Sequence, residues 1–460
     1  MKHVPHVATR APGRRTRPIS GLLFLFLLLA IMHEVYRLII SPQFGYLGEV
    51  YRTPSWPYLA LSLGLIVCLY FLLPATLGNI SDFIAWILSL VLFIPAIAVP
   101  QFTGIAAPEL SIIVSLTAGV CGIAIVVLLR FPPSNMVPVF PASFAVVQTA
   151  IALISIATYV YLLSVSGLAL ASPNLDDVYA IRDGYRQTVA ESGALIGYLV
   201  RLQGNVINPL ILIRGLYGGP KWLLAVGLIG QWLIYSITGF KTVLLSGFAI
   251  FAIALLFRLY GSLRLSTFIG YFAGFSILAL VIDKLTASMF LSTVFIYRTL
   301  LMPGTLPSAY FDYFSHREFY KWEDSVISFW SSSSNHNSSL SYLIGQYMTG
   351  NSEVSANSHL IADGYGNFGF LGVAIELIVL LLILFALASS ARGLPLPVIC
   401  SLSIAPLFAL INSSPITSII SNGFLALIIC CAVLPRAGWR YSDQPIYGPT
   451  HASPSTSVTF

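Results

Sequence analysis

The chain has 460 residues, 57% of them hydrophobic and 9% charged, with a mean hydropathy of +0.86. That composition excludes a soluble globular domain and predicts a polytopic membrane protein. The net charge of +6 is concentrated in the N-terminal tail (Arg10, Arg14, Arg15, Arg17) and in short loops, which is a topology signal and not a nucleic-acid patch.

A hydrocarbon core of roughly 30 Å takes about 20 apolar residues per helical crossing. Runs of that kind predict an all-α membrane domain over 19–435, between a basic tail (1–18) and a C-terminal tail (436–460). The first run is too long for a signal-peptide core and is read as a retained helix. About 12 transmembrane helices are expected, at 19–40, 57–77, 83–100, 110–129, 142–167, 194–214, 222–239, 242–258, 265–283, 366–391, 395–412 and 418–435. With both tails in the cytoplasm, Arg130, Arg214, Lys221, Arg258, Arg264, Arg392, Arg436 and Arg440 all fall inside. Counting 286–304 as a further crossing would place the last three outside, so it is read as a re-entrant or in-plane helix. Two external loops follow, 168–193 and 284–365. The five cysteines lie within expected spans, with no disulfide or metal pattern.

Candidate chemistry is met in chain order. His33, Glu34 and Arg37 lie within one turn and read as a local ion pair. In "DDVYAIRDGYRQTV", Arg182 and Arg186 share a face if the piece is helical. Paired guanidiniums suit a phosphate or diphosphate, and the plainer reading is a solvated loop neutralised by Asp176, Asp177 and Asp183. Arg201, Asn205 and Asn208 recur at i, i+4 and i+7 on the sixth span. Such a stripe faces either a cavity or a structural interhelical seam. Lys241 stands at an external junction between two spans and Arg298 on the re-entrant piece, where they bind an anion or snorkel to headgroups. These five cations, Arg182, Arg186, Arg201, Lys241 and Arg298, all project to the outer half on this topology. An anionic ligand arriving from the outer leaflet explains them economically.

The large loop supplies aromatics in "YFDYFSHREFYKWEDSVISFW", which fit sugar faces or an interfacial belt. Proton acceptors for a hydroxyl nucleophile follow: His336 in "SSSSNHNSS", and His359 and Asp363 in "ANSHLIADGYGNFGFLGV". The alternative for the last stretch is a tightly packed helix start with Asp363 or Asn367 as cap. His316, His336 and His359 are spread too widely for a metal motif, so neither metal nor cofactor is expected.

In this order, "VYAIRDGYR", "GFKTVLL", "YRTLLMPGTLPSAYFDYFS" and "ANSHLIADGYGNFGFLG" resemble the oligosaccharide repeat-unit polymerases of bacteria, the Wzy-type O-antigen and capsule polymerases. Motif detail covers about 174–372, and the remainder resembles them in hydropathy. The resemblance implies a C-type glycosyltransferase-like architecture in the cytoplasmic membrane, with its active site facing the exterior. The implied reaction moves a growing glycan from one undecaprenyl diphosphate carrier to the next carrier-linked repeat unit. Implied partners are those lipid-linked oligosaccharides, membrane lipids and a chain-length regulator. The motifs nominate Arg182, Arg186 and Arg298 for the diphosphate and His359 and Asp363 for the acceptor. The alternatives are an O-antigen ligase, with the same chemistry on a different acceptor, and a glycolipid flippase or other transporter.

Overall fold

The computed structural model describes residues 19–133, 135–166, 178–323 and 338–440. Both tails apart from 436–440, Ser134, residues 167–177 with the start of the first loop, and 324–337 with His336 lie outside them. The described residues are helical, with two isolated bridges, Tyr51–Thr103 and Thr76–Arg264, as their only β-type pairing. Eight helices are long and apolar enough to cross a membrane, or nine when the bent pair Pro415–Ser421 and Phe424–Val433 counts as one span. These helices and three shorter apolar ones, Trp56–Leu72, Trp222–Thr238 and Leu396–Ala409, fall on the runs expected from hydropathy. The protein is therefore a helical, polytopic membrane protein. The Ile80–Gln101 helix is apolar all round and wholly buried, as a central helix must be.

Proline shapes several of these helices. Wide π-type turns occupy Tyr36–Ile40, Ser89–Phe93, Gln203–Ile207 and Ser292–Leu301. Each ends two residues before a proline, namely Pro42, Pro95, Pro209 and Pro303. A proline has no N–H to return to the carbonyl four residues back, and its ring crowds that carbonyl. Widening the preceding turn relieves the clash and keeps the chain helical.

The connections gather at two ends of the bundle. At the lower end Leu77 N–H bonds Leu263 O at 2.9 Å, Phe140 N–H bonds Ala432 O at 3.0 Å and Arg440 N–H bonds Tyr217 O at 2.9 Å. Arginines there satisfy carbonyls: Arg214 donates to Gly438 O, Arg392 to Ser389 O, and Arg436 to Cys431 O, Leu434 O and Ser390 O. This is the favoured place for a cation, at the negative ends of helices. At the upper end Arg52 N–H bonds Phe102 O at 2.8 Å and Tyr297 reaches Glu49.

The described part of the large loop expected over 284–365 is mostly helix. The piece expected over 286–304 extends through Ser292–Leu301 into Met302–Phe314, because Pro307 is accommodated within a helix whose other contacts are buried. Along its length it meets upper-end segments: Tyr297 touches Glu49, Pro303 touches His359 and Tyr310 touches Asn357. The stretch 356–373 folds as a tight hairpin. Its helix runs to Asn367, breaks at Phe368 and Gly369 (φ 60°, ψ −142°), and resumes as the long leg to Ser390. Gly369 takes a backbone conformation reserved for glycine. The legs meet backbone to backbone, since a Cβ on Gly364 would lie 2.7 Å from Val373 Cα and one on Gly372 would strike the Gly364 carbonyl.

Gly372→Ala should therefore open the hairpin, with a loss of about 1–3 kcal/mol or more. Gly274→Ala, where a Cβ meets nothing within 4 Å, should be neutral or stabilising by up to about 1 kcal/mol. Thermal midpoints in detergent distinguish the two, and equal responses would contradict the packing described.

Candidate functional site

Arg182 lies on the helix Val178–Ser192, so the piece is helical and Arg182 and Arg186 occupy adjacent turns. Arg182 Nε donates to Gly239 O at 3.2 Å, at the C-terminus of Trp222–Thr238, where a cation is favoured. Lys241 opens the next helix and stands in the electrostatic field of both Arg182 and Arg298. Its Nζ is 5.7 Å from the centre of the Phe290 ring, and the Arg298 guanidinium is 5.9 Å from that of Tyr297. The helix termini at 239–241 and the wide turns of 292–301 thus bring together three cations that are far apart in the chain. Among the described residues, ion pairs form only at Glu34, with His33 and Arg37, as expected for that turn. Lys241 and Arg298 therefore have no acid within salt-bridge reach among them. The Arg186 side chain is outside the described set.

The stripe on the sixth span divides. Arg201 acts on Tyr185, whose ring packs edge-on against Phe240, 5.6 Å between centres, so it borders the cation group. Asn205 donates to Asn422 O at 3.3 Å. Asn208 is buried and bonds Tyr159, Gln203 and Gln231, whose amide reaches Ser246 at 2.9 Å. The expectation that all three share one face is corrected: the π turn at Gln203–Ile207 rotates the later residues away from the earlier. Asn208 belongs to a structural seam of hydrogen-bonded amides, the device by which buried polar groups are held between membrane helices.

Beneath Arg298 lies an acid that hydropathy and loop motifs did not single out. Glu49 is 1% exposed, and its two oxygens accept from Tyr297 Oη at 3.0 Å and Tyr36 Oη at 3.1 Å. Tyr36 Oη is also 2.9 Å from Thr103 Oγ1. Burial pushes the Glu49 carboxyl up to about 7, against the opposing pull of the tyrosine hydroxyls, the Thr305 hydroxyl and Arg298. The lone acid of "GEVYRTP", in the connection after the first helix, was the available signal.

His359 has no exposed surface. Pro307 deprives the Pro303 carbonyl of its helical N–H, and His359 Nε2 supplies the missing hydrogen bond at 2.8 Å. Its Nδ1 accepts the Ile361 N–H at 3.3 Å, capping the helix that begins at Leu360. With Nε2 donating and Nδ1 accepting, both ring nitrogens are occupied and the ring is neutral. Burial pushes its pKa down to about 4. The geometry makes His359 a cap, unlike the proton acceptor expected from sequence, and His336 lies outside the described residues. Asp363, one turn on, is half-buried: its oxygens accept from Ser358 Oγ at 3.0 Å and Asn367 Nδ2 at 3.1 Å. Glu376, the one acid inside the apolar run of the long leg, faces Asp363. A charge in such a run is itself a signal that sequence reading passed over.

The aromatics of the large loop mostly pack on one another. Phe311 stacks on Tyr365 with centres 3.6 Å apart, and Phe319 and Phe370 meet Tyr365 edge-on. Tyr310, Phe311, Phe314 and Tyr320 are buried, so they form a core and offer no open platform. Lys321 and Trp322 take left-handed backbone angles (φ 60° and 54°) as 320–322 closes the end of the hairpin helix through Gly366 O, Asn367 O and Asn367 Oδ1. Among the described residues no three of His, Cys, Asp and Glu gather as a metal site.

No family model, curated protein or solved structure matches the chain.

Two outcomes follow from this geometry. The folded protein holds the Glu49 proton to higher pH than the unfolded chain does, so that contribution is full below pH 4.5 and is lost as pH rises through about 7. It is worth roughly 3 kcal/mol. Glu49→Gln should remove this part of the pH dependence, gaining on wild type above that window. Identical midpoint-against-pH curves would refute the assignment. For His359 the sign is opposite: stability from the buried neutral ring is present above pH 6.5 and lost as pH falls through about 4. His359→Asn keeps a capping acceptor and should exceed His359→Ala by about 1 kcal/mol. Its deficit from wild type should narrow at acid pH, and turnover should fall no further than stability. A collapse of turnover at preserved stability would return His359 to the chemistry.

Proposed function

We propose that this protein is a glycosyltransferase of the bacterial cytoplasmic membrane that polymerises undecaprenyl-diphosphate-linked oligosaccharide repeat units at the outer face. The observation carrying this reading is the convergence of Arg182, Lys241 and Arg298 at one end of the bundle. Neither Lys241 nor Arg298 forms a salt bridge with a described acid. Elsewhere, Arg214, Arg392 and Arg436 are occupied by carbonyls. Cations held together in an apolar surrounding repel one another, and an anion is what offsets that repulsion.

In this reading the upper end is the outer end, the chain crosses twelve times in a C-type glycosyltransferase-like arrangement, and the 292–314 helix is a re-entrant piece packed into the outer end of the bundle. The grouping of connections into two ends, with the basic residues of the short loops at the lower one, supports that count. The diphosphate of the donor carrier sits on the Arg182 and Arg298 guanidiniums and the Lys241 ammonium. An acceptor hydroxyl attacks the sugar carbon, and the bond to the diphosphate breaks with its electron pair. Fixed positive charge stabilises the leaving group without a metal. Asp363 takes the hydroxyl proton.

Arg298→Lys keeps charge but loses the paired planar donors. It should cut polymer yield on the order of a hundredfold at unchanged protein level, as should Lys241→Gln. Arg317→Lys, exposed and stacked on Tyr313 at 4.0 Å, should leave yield unchanged. Full-length polymer from both site variants would refute the reading. A gel of surface glycan from a deletion strain separates the rivals. A single capped repeat unit is expected, whereas free long polymer would indicate a ligase, and carrier-linked units trapped at the inner leaflet a flippase.

A further inference from the structure

Glu49 stands on a fixed framework. Each of its oxygens accepts a phenol, from Tyr36 Oη at 3.1 Å and from Tyr297 Oη at 3.0 Å. Tyr36 belongs to the wide turn that continues the first helix, and its Oη lies 2.9 Å from Thr103 Oγ1. The chain on either side of Glu49 is pinned as well. A left-handed turn at Gly48 (φ 85°) brings it so close to the helix Leu340–Thr349 that a Cβ there would lie 2.9 Å from Met348 O. Val50 O accepts the Gly104 N–H at 2.6 Å, and Arg52 N–H bonds Phe102 O. Glu49 is 1% exposed, so it meets no substrate.

The segment that reaches this post is less determined by its own backbone. Ser292–Leu301 is a ten-residue run of wide turns, whereas such turns usually occur singly. Its ends are fixed. Asp283 accepts Leu291 N–H at 3.0 Å and Ser292 N–H at 2.6 Å at the start, and Pro303 interrupts the regular ladder at the finish. Between them, returning one turn from wide to regular register would swing every later side chain by about 100°. Tyr297 holds the register there, because its hydroxyl is bonded to Glu49 and its ring lies parallel to that of Phe44, centres 5.3 Å apart. Arg298 is the next residue. It is exposed, with its guanidinium 5.9 Å from the centre of the Tyr297 ring.

We propose that Glu49 is a positioning residue: by holding the Tyr297 phenol it sets the register of the wide run, and with it the direction of Arg298. The hold stands on the hydrogen-bond geometry. Its use in turnover rests on the glycosyl-transfer reading above, in which Arg298 meets the donor diphosphate. Paired guanidinium hydrogen bonds are directional, so an Arg298 turned away from the diphosphate loses rate although the residue is still present.

Hydrogen exchange read by mass spectrometry, on the full chain in lipid nanodiscs without substrate, tests the hold. Tyr297→Phe keeps the ring and removes the bond. Amides of 292–301 should then exchange about tenfold faster, in keeping with the loss of one buried hydrogen bond, while those of Leu265–Leu285 are unchanged. Glu49→Ala should do the same, and Glu49→Gln, which still offers Tyr297 an acceptor oxygen, should restore most of the protection. If Glu49→Ala does not fold, Tyr297→Phe and Glu49→Gln decide the matter. Unchanged exchange in Tyr297→Phe, or faster exchange spread evenly over the chain, would overturn the hold. With carrier-linked repeat units, well below both thermal midpoints, Tyr297→Phe should lose about tenfold or more in kcat/KM. In the Arg298→Lys background the same change should cost no more than about twofold further, because the residue it aims is already gone. Additive losses would mean that Glu49 and Tyr297 serve the fold and do not act through Arg298. A Glu49→Gln variant as slow as Tyr297→Phe would make the charge of the acid, and not its hold on the phenol, the operative feature. A wild-type protein that elongates no repeat unit would sink the glycosyl-transfer reading, and the exchange comparison would still decide the hold.

Discussion

One missing N–H governs the upper end of this protein. Pro307 sits inside a buried helix and leaves the carbonyl of Pro303 without its helical partner. A bare carbonyl in an apolar interior is costly, and the His359 ring that fills the vacancy fixes much else. With its Nε2–H committed to that carbonyl, the ring presents Nδ1 to Ile361, which sets where the next helix starts. That start places Asp363 one turn later, and the break at Phe368 and Gly369 folds it back against Glu376. A packing requirement thus determines the position of the acids.

The same logic runs through the rest of the bundle. Prolines widen turns, and the widened turns carry side chains that a regular helix would aim elsewhere: Tyr36 and Tyr297, which converge on Glu49, and Arg298 beside it. Glu49 then ties the connection after the first helix to the helix that bears Arg298. An acid so placed lowers the cost of bringing a guanidinium toward other cations, while leaving Lys241 and Arg298 without salt bridges among the described residues. Polar groups here differ in what satisfies them. Asn208, Gln231 and Arg436 have partners within the fold, whereas Lys241 and Arg298 have no salt bridge among the described residues.

Hydropathy by itself determined the architecture, because twenty apolar residues in succession have one stable state in a bilayer and the requirement is local to each run. The helices from Ile19 to Val433 fall where those runs lie, and the ion pair at Glu34 followed from i, i+3 spacing. The clustering of basic residues in short loops was legible for the same reason. Side-chain roles were decided by the tertiary structure. The Arg201, Asn205 and Asn208 stripe was drawn with regular helical spacing, and one π turn before Pro209 sent its members to different neighbours. His359 has the spacing of a base beside Asp363, yet its surroundings were set by a proline fifty-two residues earlier in the chain. Glu49 and Glu376 are single acids in apolar context. What they face depends on a loop meeting a distant helix and on a hairpin closing over glycine, and those contacts exist only once the chain has packed.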